Sequence, residues 1–186
     1  MKKQSGFTLV EIAIVMVIIG LLIGGVLKGQ ALIDNAKVKS VVSDLKGIQA
    51  GYYTYLDRKR AAPAVDTDYT ATSLGGFWGS TRTEGILTGD ANSTVPGSNA
   101  LGGFIGVVNG ATTIGVSGVA ACTSLPSKFA QLVDTSIDDG ISTSGSMRGV
   151  SLAVTGAGTL NENLVGASAI TSFYGTAGYV IVCMEL

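Results

Sequence analysis

Residues 6–27 read GFTLVEIAIVMVIIGLLIGGVL. Between Phe7 and Leu27 the only charged side chain is Glu11. At 1.5 Å of rise per residue, about 20 apolar residues cross a bilayer, so the stretch predicts a membrane-spanning helix. Lys2 and Lys3 precede it. Basic residues hold a short flank in the cytoplasm, which places everything after Lys28 across the membrane. A secretory signal has the same basic start and apolar middle, but is cut after the apolar region at a small-x-small site. Residues 23–30, IGGVLKGQ, are a poor version of that site. The composition instead switches abruptly at Ser5-Gly6/Phe7, and a cut there leaves the whole apolar helix on the mature chain.

Gly6, then FTLVE at 7–11, then an unbroken apolar helix resembles the leader and amino-terminal helix of type IV prepilins, including the pseudopilins of type II secretion. The resemblance implies that a membrane aspartyl peptidase cuts between Gly6 and Phe7 and methylates the new amino terminus of Phe7, and that Glu11 serves assembly. It implies an α+β pilin fold, with a long amino-terminal helix packed on a carboxy-terminal antiparallel β-sheet. The implied partners are identical or related pilin subunits, the prepilin peptidase, the inner-membrane assembly platform and, before assembly, membrane lipid. The implied location is the bacterial inner membrane with a periplasmic domain, then an extracellular filament. Many type IV pilins have a proline near the end of the apolar stretch, where this chain has Lys28.

Physical chemistry reaches Glu11 by another route. An ionisable group at the centre of a span costs about 2.5–3.5 kcal/mol on insertion scales, less near an end, and marks function. A cut after Gly6 creates a cation at Phe7, which a staggered neighbouring helix can bring to Glu11. Such a pair gives attraction and register together, because a wrong stagger strands the carboxylate in an apolar environment. The alternative is a side chain that simply reaches the headgroups. Gly20, Gly24, Gly25 and Gly29 fit close lateral packing in lipid or local loosening of the helix.

From Gln30 to about Arg60 there is no proline. Val38, Val41, Val42, Leu45, Ile48, Tyr52 and Leu56 recur at helical spacing, opposite Lys37, Lys39, Ser40, Ser43, Asp44, Lys46 and Thr54. This predicts a half-buried helix lying on a sheet, with Tyr52 in the core and Tyr53 and Tyr55 at its margin. Joined to the span, the helix runs roughly 80 Å. The expected organisation is a leader at 1–6, an assembly half at 7–28, an amphipathic half at 29–60 and a β-rich domain at 61–186.

Most of the 27 glycines follow residue 61, so loops and short strands are expected there. Residues 61–103 read as a variable, solvent-facing connection. Asn109-Gly110 lies between two β-prone runs and predicts a tight hairpin. SLPSKFAQLVDTSIDDG, residues 124–140, predicts a short helix with Ser124 as a cap and Pro126 in the first turn. Asp134, Asp138 and Asp139 before Gly140 suit turn and helix-end chemistry; calcium is the lesser reading, because the spacing departs from D-x-D-x-D-G. MRGVSLAVTG and AGYVIVCMEL predict two further strands. Cys122 and Cys183 lack C-x-x-C spacing and read as one long-range disulfide in an oxidising compartment, with two buried thiols the alternative. Pilins typically close a carboxy-terminal loop in this way.

The chain has no histidine, twelve basic and thirteen acidic residues, and a formal charge of −1. The commonest general base is therefore missing, and a serine nucleophile would need Lys128, whose adjacency to Ser127 is no dyad. Beyond Arg60 the only bases are Arg82, Lys128 and Arg148, too few for nucleic-acid binding by a single copy. No cofactor is implied. Asn92-Ser93-Thr94 matches a glycan sequon by pattern alone. The sequence thus points to a structural pilin of a type IV pilus-like filament. The alternative is a pseudopilin or minor pilin of a secretion or DNA-uptake machine, priming assembly or binding a substrate.

Overall fold

The computed structural model describes residues 6–65, 76–90, 93, 96–109, 116, 118–154, 168–169, 174 and 178–186. The chain is α+β and divides into two compact units, Met1–Lys37 and Val38–Leu186. Helix α1, Leu9–Lys59, supplies residues to both. Its first part holds a window of mean hydropathy 2.8 with none of it buried, long and apolar enough to cross a membrane. The helix is unbroken through Gly20–Lys28.

In the second unit the expected stripe is buried. Val38, Val41, Leu45, Ile48 and Tyr52 lie in the core, with Val42 and Leu56 packed at its edge. Tyr53 is half exposed and meets Tyr52 edge to face at 5.8 Å. The helix ends because Arg60 turns to a φ of 53°, its amide bonding Leu56 O at 2.7 Å. A left-handed residue is a common helix stop, and Pro63 follows closely.

The sheet has six strands among the described residues: β1 Gly97–Ser98, β2 Phe104–Asn109, β3 Val119–Pro126, β4 Met147–Val154, β5 Ser168–Ala169 and β6 Tyr179–Glu185. Their order is β1-β2-β3-β6-β4-β5 and every pairing is antiparallel. Ile105 and Val107 of β2, Ala121 and Leu125 of β3, Val180, Val182 and Met184 of β6, and Met147 of β4 join the α1 stripe in one core. Phe129, Ala130 and Val133 of α3, Ser127–Ile137, enter the same cluster. The alternate residues Val108, Ala120, Cys122, Ile181 and Cys183 are buried as well. Both faces of the central strands are therefore out of water, in keeping with the apolar run of β6.

Three local expectations are corrected. The partner of β2 begins at Val119, opposite Asn109, so residues 110–118 form the connection and no two-residue turn closes it at Asn109-Gly110. Register follows the strand that buries most side chains, and β3 buries Ala120 to Leu125. Gly110 itself lies outside the described residues, as do Asn92 and Thr94 of the sequon. Ser124 is no helix cap: it sits in the β3 ladder opposite Ile181, and Pro126 takes the cap position before Ser127. The 61–103 connection is partly built into the fold. It contains α2, Phe77–Thr83, whose Phe77 and Thr81 are buried. Glu84 just beyond it pairs with Lys59 at 2.6 Å, which holds the Lys59 ammonium above its ordinary pKa.

Asn99 anchors the same connection from the buried side. Its amide nitrogen donates to Thr123 Oγ1 at 2.7 Å and to Ser124 O at 3.0 Å, and its oxygen accepts from the Leu101 and Gly103 amides. Gly103 must remain glycine, since a Cβ there would strike the Ser124 carbonyl.

Cys122 and Cys183 form a disulfide between directly opposed residues of β3 and β6, both fully buried, with Cα atoms 4.0 Å apart. It bridges a separation of 61 residues, for which chain-entropy arguments give about 4 kcal/mol. Replacing both cysteines by serine should lower the melting temperature of the carboxy-terminal unit sharply while leaving the chain in the membrane fraction. Calorimetry and membrane flotation check the two halves of that expectation; an unchanged melting temperature would count against it.

Candidate functional site

Gly6 and Phe7 are exposed and precede the helix, with Phe7 85% accessible. Glu11 lies in the first turn of α1. Its Oε2 accepts the Thr8 amide at 2.8 Å and the Thr8 hydroxyl at 2.7 Å, while Thr8 Oγ1 accepts the Glu11 amide at 3.3 Å. This is a reciprocal capping box, in which a Thr and a Glu three residues later satisfy amides that the helix start leaves open. A negative charge also suits the positive end of the helix dipole.

Thr8 is the residue that sequence reasoning missed. The T-x-x-E spacing of Thr8-Leu9-Val10-Glu11 carried the signal, but the acid stood out for its charge rather than for its distance from Thr8. Within one chain, then, Glu11 is hosted by its own helix terminus. The carboxylate stays at the surface, in the first turn of the helix that Phe7 precedes. Gly20, Gly24, Gly25 and Gly29 have no heavy atom within 4 Å of where a Cβ would sit.

The three acids at the end of α3 do come together, with one oxygen of each within 4.8 Å of the others. Each is engaged locally. Buried Asp134 accepts the Tyr174 hydroxyl at 2.6 Å and the Gly140 amide at 3.3 Å. Asp138 accepts the Ser146 and Met147 amides, and Asp139 accepts the Ile141 amide and the Ser144 hydroxyl. These bonds account for the acids as turn and helix-end residues that bind α3 to the start of β4.

Burial lifts the Asp134 carboxyl above its ordinary 3.8, against the lowering effect of the Tyr174 and Gly140 bonds. Burial and the bond to Asp134 likewise raise Tyr174. A carboxyl whose folded pKa exceeds its unfolded one holds its proton more tightly in the folded chain. Stability from this group is therefore present at low pH and lost as pH rises from 3.8 through the folded value. Asp44, also raised by burial, adds a slope of the same sign. Asp139, lowered by Ser144 and Ile141, acts below 3.8 with the opposite sign. Asp134→Asn should flatten the fall in unfolding midpoint as pH rises above 3.8; chemical denaturation across a pH series checks it, and an unchanged slope would refute it.

No curated protein and no solved structure matches the chain. A sequence model does: residues 1–27 match the prokaryotic N-terminal methylation motif. That match spans Lys2 and Lys3, Gly6, Phe7, the Thr8–Glu11 cap and the apolar part of α1 as far as Leu27. The chain therefore carries, ahead of an α+β domain closed by a buried disulfide, the type IV prepilin-like signature.

Proposed function

We propose that this chain is a structural subunit of a type IV pilus-like filament. In this reading a prepilin peptidase cuts between Gly6 and Phe7 and methylates Phe7, and α1 then bundles with copies of itself. The observation that carries the reading is the amino-terminal motif joined to an apolar helix that has no partner within its own unit. Leu9, Val10, Met16, Val17, Leu21, Leu22, Val26 and Leu27 are each more than half exposed. A surface so apolar is stable only in lipid or against other such helices. Before assembly the host is the inner membrane; afterwards it is the filament core, with the domain of Val38–Leu186 outermost.

Glu11 has two roles in this scheme. In the single subunit it caps its own helix through Thr8. In the filament it pairs with the methylated amine of a neighbour's Phe7, which fixes the stagger. The reading requires no catalysis, in keeping with a chain that lacks histidine. A pseudopilin or minor pilin would share every step as far as assembly, and abundant external filaments built from this chain distinguish the pilin.

Intact mass and amino-terminal sequencing of the protein from its native membrane should find a chain that starts at methylated Phe7; a start beyond Gly24 would sink the reading. Glu11→Val should still be processed at Gly6 but fail to enter filaments. Sheared-filament yield beside the ratio of processed to unprocessed chain measures both, and normal assembly of the variant would remove Glu11 from the account.

A further inference from the structure

Beside the core of the Val38–Leu186 unit lies an open cavity of about 330 Å³, walled by α1, α2, β1 and the edge of β2. Its lining includes Asp44 and Gly47 of α1, Trp78 and Arg82 of α2, Leu87 after it, and Ile105 of β2. Four features suit a binding site.

The first is charge. Asp44 and Arg82 line the same space but form no ion pair with each other, and Asp44 has no hydrogen bond or ion pair among the described residues. Burial raises its pKa, as expected of a carboxylate that has lost water without gaining a partner. The second is rigidity. The Trp78 indole donates to Ile105 O at 3.0 Å, and the Arg82 guanidinium lies 5.0 Å from the ring centre with Nη1 donating to Ser93 O at 3.1 Å. A Cβ at Gly97 would sit 2.5 Å from the indole, so glycine there lets the ring seat fully.

The third is Gly47. A mid-helix glycine costs about 1 kcal/mol relative to alanine, yet a Cβ at Gly47 would meet nothing within 4 Å. No packing contact requires glycine there, and the effect of its missing side chain is to leave the cavity open. The fourth is size: small-molecule sites begin at about 300 Å³, so this one suits a ligand of a few heavy atoms.

We infer that this cavity binds a small zwitterion of the α-amino acid class, its ammonium on Asp44, its carboxylate towards Arg82 and an apolar side chain against Trp78, Leu87 and Ile105. A simple amine would meet repulsion from Arg82, and a simple acid repulsion from Asp44. The inference does not depend on the filament reading, since every residue it uses belongs to the second unit.

Trp78 is the only tryptophan of the chain, so its emission reports on the cavity wall. The full chain in detergent micelles is titrated with L-leucine, 3-methylbutylamine and 4-methylpentanoate, with Trp78 emission and calorimetry read together. L-Leucine should bind saturably and the two single-charge analogues at least about tenfold more weakly. Asp44→Asn should weaken L-leucine by about ten- to hundredfold. Gly47→Leu, which replaces a helix-weakening glycine at an open position, should abolish binding without lowering the melting temperature. Absence of saturable L-leucine binding up to about 10 mM, equal binding of the amine, or full binding by folded Gly47→Leu would each overturn the inference.

Discussion

The seam between the α1 stripe and the sheet is the constraint on which the second unit depends. Val41 and Leu45 are wholly buried, and they share a core with Ala121, Leu125 and Val182 from the two central strands. Full burial of one such aliphatic side chain is worth about 1.5–3 kcal/mol, so these few residues outweigh any of the surface ion pairs. The Lys59–Glu84 bridge is a case in point, being exposed enough that its contribution is small. Helix α2 and Asn99 then close the flank of the seam, and α3 adds Phe129 and Val133 to it. A helix that is apolar on every side before Lys28 becomes apolar on one side after Val38, and that change marks where a sheet can be received.

Three carboxylates illustrate how differently one chain can host an acid. Glu11 sits at a helix start and is satisfied by Thr8. Asp134 is sealed in the protein and held by a tyrosine hydroxyl and a glycine amide. Asp44 is half-buried and has neither kind of support among the described residues. Burial without a bond is the costliest of these states, which is why Asp44 and not the acid cluster at the end of α3 reads as an acceptor for something outside the chain.

The long helix, its stripe, the disulfide and the last two main strands were legible in the sequence because each has a strong periodic or compositional signal. The stripe from Val38 to Tyr52 repeats over several turns, and β6 is an apolar run bounded by glycine. Helix α2 was hidden for the opposite reason. FWGSTRT is too short to show a period, and what makes it a helix is the burial of Phe77 and Thr81 by a surface elsewhere in the sequence. The β2–β3 register failed to show because Asn109-Gly110 is a strong local turn signal, whereas the pairing of Asn109 with Val119 rests on burial along the whole of β3. The motif residues Gly6, Phe7 and Glu11 were visible at once, whereas the part played by Thr8 emerged only with the hydrogen bonds. The cavity beside Asp44 draws its walls from four elements, and no local pattern announces such a meeting.

The position of β6 has a bearing on how the protein is made. It is the strand that lies between β3 and β4 at the middle of the sheet, yet its residues, 179–185, come after those of the five other described strands. The sheet centre and the Cys122–Cys183 bond therefore cannot form until those residues have been synthesised. Until then β3 and β4 lack the neighbour that joins them.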